Sequence, residues 1–236
     1  MIRGVIRGVL FDKDGTLFDF EQTWNRWAFG MLMDLAEGDR GKAATLGAAI
    51  GFDLARAQFE PDSMAIAGTQ GQTAEALSAA CPKHSPTALL DAMNEAAANT
   101  PQVEVVPLRP LLSGLRAAGY ALGVATNDAQ APARAHLDQA GIADMFDFVA
   151  GFDSGFGGKP GPGMCRAFLE HTGLAPREAV MVGDSRADIE AGRAAGMHCV
   201  AVTPALGGAD ALAAIADAML PDISHLPTWL LSQNSH

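Results

Sequence analysis

Five short, nearly continuous apolar runs punctuate the chain, and each ends in small or polar residues. They are Val5–Phe11 before Asp12, Tyr120–Ala125 before Thr126 and Asn127, and Phe148–Ala150 before Gly151. Ala179–Val182 before Gly183 and Asp184, and Cys199–Val202 before Thr203, complete the set. Runs this uniform suit strands buried on both faces, as in a parallel sheet covered by helices. Helical patterns separate them. Asp128 is placed to cap a helix that has Pro132 in its first turn and Gly141 past its end. Another helical stretch runs from Gly183 through Glu190 and Arg193 to Gly196. Alternating strand, loop and helix predicts a doubly wound, Rossmann-like α/β core, in which ligands sit beyond the carboxyl ends of the strands.

One stretch breaks that rhythm. The first strand ends at Asp12 and the second begins only near Tyr120, whereas a parallel crossover needs a dozen or so residues. A helix over Arg109–Ala118 suffices for the crossover. The surplus carries apolar residues at spacings near three and four over Thr23–Leu35, Ala43–Ala57, Thr73–Ala80 and Thr87–Asn99. The pattern predicts an α/β core of residues 1–17 and 102–236, with an inserted helical domain over 18–101.

Composition narrows the functional classes. With 236 residues, 49% of them hydrophobic, the chain can bury a sizeable core, and its formal net charge of −11 argues against a general affinity for nucleic acid or anionic membranes. A small phosphate substrate stays open, because a metal and a few local donors can invert the field in one cleft. Cys81, Cys165 and Cys199 are far apart and lack zinc-type spacing, as expected of reduced thiols in a cytoplasmic protein. Met1–Leu10 is too short and interrupted for a signal peptide, and no apolar run is long enough to span a bilayer. Oligomeric state is not readable.

The candidate chemistry lies at the strand ends. Asp12 and Asp14 flank Lys13 directly after the first strand, a spacing compatible with a metal site, an acid/base pair or a turn. Thr126 and Asn127 offer a hydroxyl and backbone N–H groups at a helix start, either as a phosphate contact or as a simple cap. Gly157-Gly158-Lys159-Pro160 fixes a cation in a constrained loop. Asp184 is placed to bind a hard cation, and Asp188 falls one helical turn later if a helix begins there. Arg186, Glu190 and Arg193 read as a solvated ion-pair face.

DKDGT, TN, GKPGP and GDSRAD, in that order and each at a strand end, resemble the motifs of the haloacid dehalogenase superfamily. The helical insertion after the first motif is similar to the cap of its phosphoglycolate phosphatase-like branch. The resemblance implies a phosphatase for a small phosphorylated metabolite, 2-phosphoglycolate or similar, working through an aspartyl phosphate. Asp12 would be the nucleophile and Asp14 the acid and then the base. Mg²⁺ would be held by Asp12, the Asp14 carbonyl and Asp184. Thr16, Thr126, Asn127 and Lys159 would hold the phosphate, with Asp188 positioning a metal-bound water or Lys159. Asp14 would have to be protonated near neutrality, and a crowded anionic site is expected to raise its pKa. A phosphomutase on the same scaffold is the nearest alternative, followed by a non-catalytic binding relative; a dehalogenase fits less well, because Asp14 serves phosphoryl chemistry.

One departure bears on the substrate. Phe20, Trp24 and Trp27 lie where the chain enters the insertion, either as its core or as lining of the leaving-group pocket. The second reading puts phosphoglycolate in doubt. Gly68-Thr69-Gln70-Gly71 is the candidate turn through which the cap touches substrate.

Overall fold

The computed structural model describes residues 5–60, 63–98, 100–204 and 207–234; the expected helix terminus at Asn99 lies outside these. Strand β1 (Gly8–Phe11) leads into helices α1 (Phe20–Leu35) and α2 (Arg40–Ile50), a hairpin of β2 (Phe52–Asp53) and β3 (Gln58–Phe59), and helices α3 (Met64–Ala67), α4 (Gln70–Ala80) and α5 (Pro86–Ala98). The chain then alternates through α6 (Leu108–Ala117), β4 (Ala121–Ala125), α7 (Gln130–Gln139), β5 (Phe148–Ala150), α8 (Gly163–Thr172) and β6 (Ala179–Gly183). It finishes with α9 (Arg186–Ala195), β7 (His198–Val202), α10 (Ala209–Ala213), β8 (Ala218–Leu220) and α11 (Leu226–Asn234). No helix among the described residues is long and apolar enough to cross a membrane.

The six core strands form one parallel sheet in the order β5-β4-β1-β6-β7-β8. This is the doubly wound α/β architecture that the apolar runs predict. Strand β1 lies at the centre and is buried throughout, with alternate residues serving opposite faces. Val9 and Phe11 join Leu112, Leu137 and Leu226 on one side, while Leu10 meets Phe168, Met164 and Met181 on the other. Because β1 sits where the strand order reverses, Asp12 emerges at the crevice that open α/β sheets use for ligands.

Residues 20–98 pack around their own cluster, which includes Trp24, Leu32, Leu46, Phe52, Phe59, Leu77, Leu89 and Met93. The two strands of chain joining it to the sheet pair with each other: Asp19 N donates to Val103 O at 2.8 Å, and Val105 N to Leu17 O at 3.0 Å.

Three elements depart from the sequence reading. The helix expected over Ala43–Ala57 stops at Ile50, because Gly51 adopts φ +73° and the chain turns into the β2–β3 hairpin. A Cβ at Gly51 would also lie 2.7 Å from Ser63 Cα, so the turn requires glycine. Strand β8 was not expected; it is a half-buried edge strand of three residues, Ala-Met-Leu, that follows the Ala-rich stretch of α10. Helix α7 begins at Gln130 with Ala129 as its N-cap, so neither Asp128 nor Thr126-Asn127 opens it. Gly141 does follow its end, at φ +66°.

The fully buried Phe168 ring fills space left by two glycines, since Cβ atoms at Gly123 and Gly8 would meet it at 2.7 and 3.2 Å. Phe168→Ala should therefore cost about 3–5 kcal/mol, read as a lower urea midpoint with an unchanged slope.

Candidate active site

Four strand ends converge on one cavity. Asp12 and Asp14 come from the loop after β1, Thr126, Asn127 and Asp128 from the loop after β4, Lys159 from the loop before α8, and Asp184 from the end of β6. From the helical insertion, Phe20, Trp24, Trp27, Phe59, Gln70 and Met93 close the cavity on its other side. Asp188 stands behind Lys159. Thr16 is not brought to the cavity: it is fully buried, and its Oγ1 has no hydrogen-bond partner among the described residues.

Two buried lysines organise the carboxylates. Lys159 Nζ lies 2.5 Å from Asp12 Oδ1 and 2.6 Å from Asp188 Oδ1, and it donates to the Ala125 carbonyl at 2.8 Å. Burial works against its charge, but Asp12 and Asp188 outweigh this and raise its pKa. Asn127 fixes the loop that carries it, donating from Nδ2 to Lys159 O (3.1 Å) and accepting from Lys159 N at Oδ1 (2.8 Å). Asp188 reaches Lys159 through a local capping turn. Helix α9 starts two residues after Asp184, with Ser185 as N-cap and Asp188 as the third helical residue in a capping box. Asp188 Oδ2 accepts from Ser185 N and Oγ, which leaves Oδ1 for Lys159.

Asp12 and Asp184 carry an unbalanced charge. Burial, followed by repulsion from Asp188, raises the Asp12 pKa from 3.8 to about 7, and Lys159 offsets only part of this. The same burial, with Asp12 and Asp188 nearby, lifts Asp184 well above the ordinary carboxylate range. Among the described residues, the Asp184 carboxylate has neither a hydrogen-bond nor an ion-pair partner. Oxygens of Asp12, Asp184 and Asp188 lie within 4.8 Å of one another. Gly15, at φ +81°, makes room for this, since a Cβ there would sit 2.1 Å from Asp184 Oδ2. A partnerless carboxylate facing a second one in a partly dry cleft fits a divalent cation bound by oxygen.

The second lysine, Lys13, is fully buried, and the sequence reading passed over it. Its Nζ lies 2.7 Å from Asp14 Oδ1, 3.0 Å from Asp128 Oδ2 and 3.2 Å from His136 Nδ1, below the Trp24 ring at 5.3 Å. His136 Nε2 donates to the Ala97 carbonyl at 2.6 Å, so Nδ1 is the acceptor for Lys13. Burial and the Lys13 charge together hold this neutral imidazole at a pKa of about 4. Asp14 also accepts from Trp24 Nε1 at 2.7 Å, and Asp128 from Gln70 Nε2 at 2.6 Å. These contacts correct the expectation for Asp14. Burial does push its pKa up, but Lys13 and the Trp24 donor more than reverse that, so it lies below its ordinary value. At Asp128 burial wins over Lys13, and the pKa is raised.

Residues 6–196 match the family model described as haloacid dehalogenase-like hydrolase. The chain belongs to this family. It is 38% identical to phosphoglycolate phosphatase from Rhodospirillum rubrum over 120 residues, covering 51% of this chain and 50% of that protein. It is 37% identical to a pyrophosphatase from Bacillus velezensis over 116 residues, covering 49% of this chain and 54% of the relative. The chain thus spans about half the length of the curated relatives it matches. The crystal structure of β-phosphoglucomutase from Clostridium difficile superimposes with a TM-score of 0.67 at 17% identity, covering 97% of each chain, and shares the fold.

Within this haloacid dehalogenase-like hydrolase, four functional-looking residues escaped sequence reasoning: Lys13, Asp128, His136 and Trp24 in its role as donor to Asp14. Asp128 looked like a helix cap, and His136 lies mid-helix with no partner nearby in sequence. The signal that was available is Lys13 itself, a cation set between two carboxylates directly after a buried strand. Replacing it by methionine leaves Asp14 and Asp128 buried without their cation. Lys13→Met should cost about 3–5 kcal/mol of stability, measured by urea unfolding.

Proposed function

We propose that the chain is a Mg²⁺-dependent phosphatase that hydrolyses a small phosphomonoester through an aspartyl phosphate on Asp12. In this reading residues 18–101 act as a cap over a core of residues 1–17 and 102–236. The observation that carries it is the pairing of buried Asp12 with partnerless Asp184, beside a lysine fixed by Asn127 and Asp188. Asp12, the Asp14 carbonyl and Asp184 would hold Mg²⁺, which would supply positive charge to neutralise phosphoryl oxygens and let an anionic nucleophile approach.

The residues divide the work. An Asp12 oxygen attacks phosphorus while the bond to the leaving oxygen breaks, and Asp14 delivers a proton to that oxygen. Asp14 then takes a proton from water as the water oxygen attacks phosphorus, which breaks the bond to Asp12 and frees inorganic phosphate. Lys159, Thr126 and the Asn127 loop hold the transferring oxygens, and Asp188 keeps Lys159 aimed. A phosphate dianion seated beside Asp14 counters the Lys13 charge and returns the carboxyl towards protonation. Trp24 and Gln70 tie the cap to Asp14 and Asp128, so closure excludes water while the acid is set. The name of the Rhodospirillum relative makes 2-phosphoglycolate the first compound to try.

The test is phosphate release from a panel of phosphomonoesters with Mg²⁺ and again with EDTA. Release should require the metal, and Asp12→Asn should lower kcat by about 10³-fold or more with an unchanged circular dichroism spectrum. An equally active variant would remove Asp12 from the reaction, and isomer formation without phosphate release would indicate a mutase.

Metal binding should also depend on pH. The folded-state pKa of Asp12, about 7, lies above its ordinary 3.8. Its contribution to the stability of the metal-free protein is thus fully present below about pH 4 and lost as pH rises through about 7. A cation needs the ionised form. The rise in Tm caused by Mg²⁺ should therefore be small near pH 5 and grow towards about pH 8; a gain independent of pH would place the metal elsewhere.

A further inference from the structure

The wall facing the phosphate site comes from the helical insertion, and its make-up bears on the alcohol that leaves. Trp24 and Trp27 meet edge to face with ring centroids 5.3 Å apart, and Phe20 meets Phe59 at 5.6 Å. All four rings line the cavity beside Asp12 and Lys159, together with Met93. They belong to the core cluster of the insertion and line the pocket as well. The polar capacity on this wall is neutral: Thr73 and Gln70 line it, and Trp27 Nε1 and Gln70 Oε1 are buried without a hydrogen-bond partner among the described residues.

Charge on the cavity surface is one-sided. The carboxylates of Asp14 and Asp128 face the space next to the rings, while the lysine that balances them is sealed beneath. Lys159 is the cation that lines the cavity among the described residues, and Asp12 and Asp188 engage it. The Lys and Arg residues of the insertion, Arg26, Arg40, Lys42, Arg56 and Lys83, are all exposed, and none of them lines the cavity. A leaving group bearing a carboxylate would lose water against aromatic rings, meet two acids and find no cation.

We propose that the substrate's leaving alcohol is uncharged and presents an apolar ring face to Phe20, Trp24, Trp27 and Phe59. This rests on the phosphatase reading and adds the substrate class to it. An apolar ring gains contact area against these side chains and leaves Asp14 and Asp128 undisturbed, whereas an anionic tail is rejected because it is buried beside acids with no cation to pair it. A carboxylate-bearing ester such as 2-phosphoglycolate is then a poor substrate, despite the name carried by the Rhodospirillum relative.

The experiment compares benzyl phosphate with its 4-carboxybenzyl counterpart, two esters whose leaving alcohols have nearly equal acidity, with Mg²⁺ and the full chain. The expected result is a kcat/KM about 100-fold higher for benzyl phosphate, the size of effect that burying an unpaired carboxylate in a partly desolvated cleft produces. Phosphate release from both at equal rates, or faster from the carboxylate, overturns the leaving-group assignment and spares the phosphatase reading. Release from neither, by protein that hydrolyses another phosphomonoester of the panel, overturns the leaving-group assignment alone; release from no compound, by protein shown to be folded, overturns the phosphatase reading and the assignment with it.

Discussion

Buried lysines at the carboxyl end of the central strand hold the site together. Lys13 and Lys159 sit among Asp12, Asp14, Asp128, Asp184 and Asp188, so negative charge exceeds positive in a space largely shielded from water. Each lysine stays charged because two carboxylates flank it. Asp14 holds much of Lys13 and is held ionised. Burial pushes Asp12, which shares Lys159 with Asp188, up to about 7, and burial also lifts Asp184, which pairs with neither lysine, well above the ordinary carboxylate range. The excess at Asp12 and Asp184 is what a divalent cation would relieve.

The same network reaches into the helical layer above. Trp24 donates to Asp14, Gln70 to Asp128, and the Ala97 carbonyl receives the His136 proton that sets the tautomer facing Lys13. Three separate helices of the insertion therefore converge on one ammonium group. Lifting the layer would strand buried polar partners on both sides, which favours a seated layer whenever the charges below are in balance.

Much of this was legible in the sequence, for identifiable reasons. The core strands are almost uniformly apolar, and such runs have few alternatives to burial in a parallel sheet. The residues at their ends, Asp12, Thr126, Lys159 and Asp184, could then be assigned to one edge by topology alone. What escaped depends on contacts distant in sequence. His136 meets Lys13 across 123 positions, and Gln70 meets Asp128 across 58. Asp188 does reach Lys159, but the helix begins at Arg186 and not at Asp184, so a capping box directs it there. The β2–β3 hairpin was hidden because Ala-rich sequence continues past Gly51, and only the backbone conformation of that glycine ends the helix.

The paired linkers at Leu17–Asp19 and Val103–Val105 have a consequence for how such a chain can change. Because the two ends of the insertion are already hydrogen-bonded to each other, the sheet experiences some eighty residues of extra chain as a closed loop. Altering its length or content changes the closure entropy only slowly, and the strands below keep their register whatever the loop contains. The helical layer is thus a replaceable module on a fixed chemical platform. An exchanged layer would have to bring its own counterparts of Trp24 and Gln70, or leave Lys13 to hold two carboxylates alone.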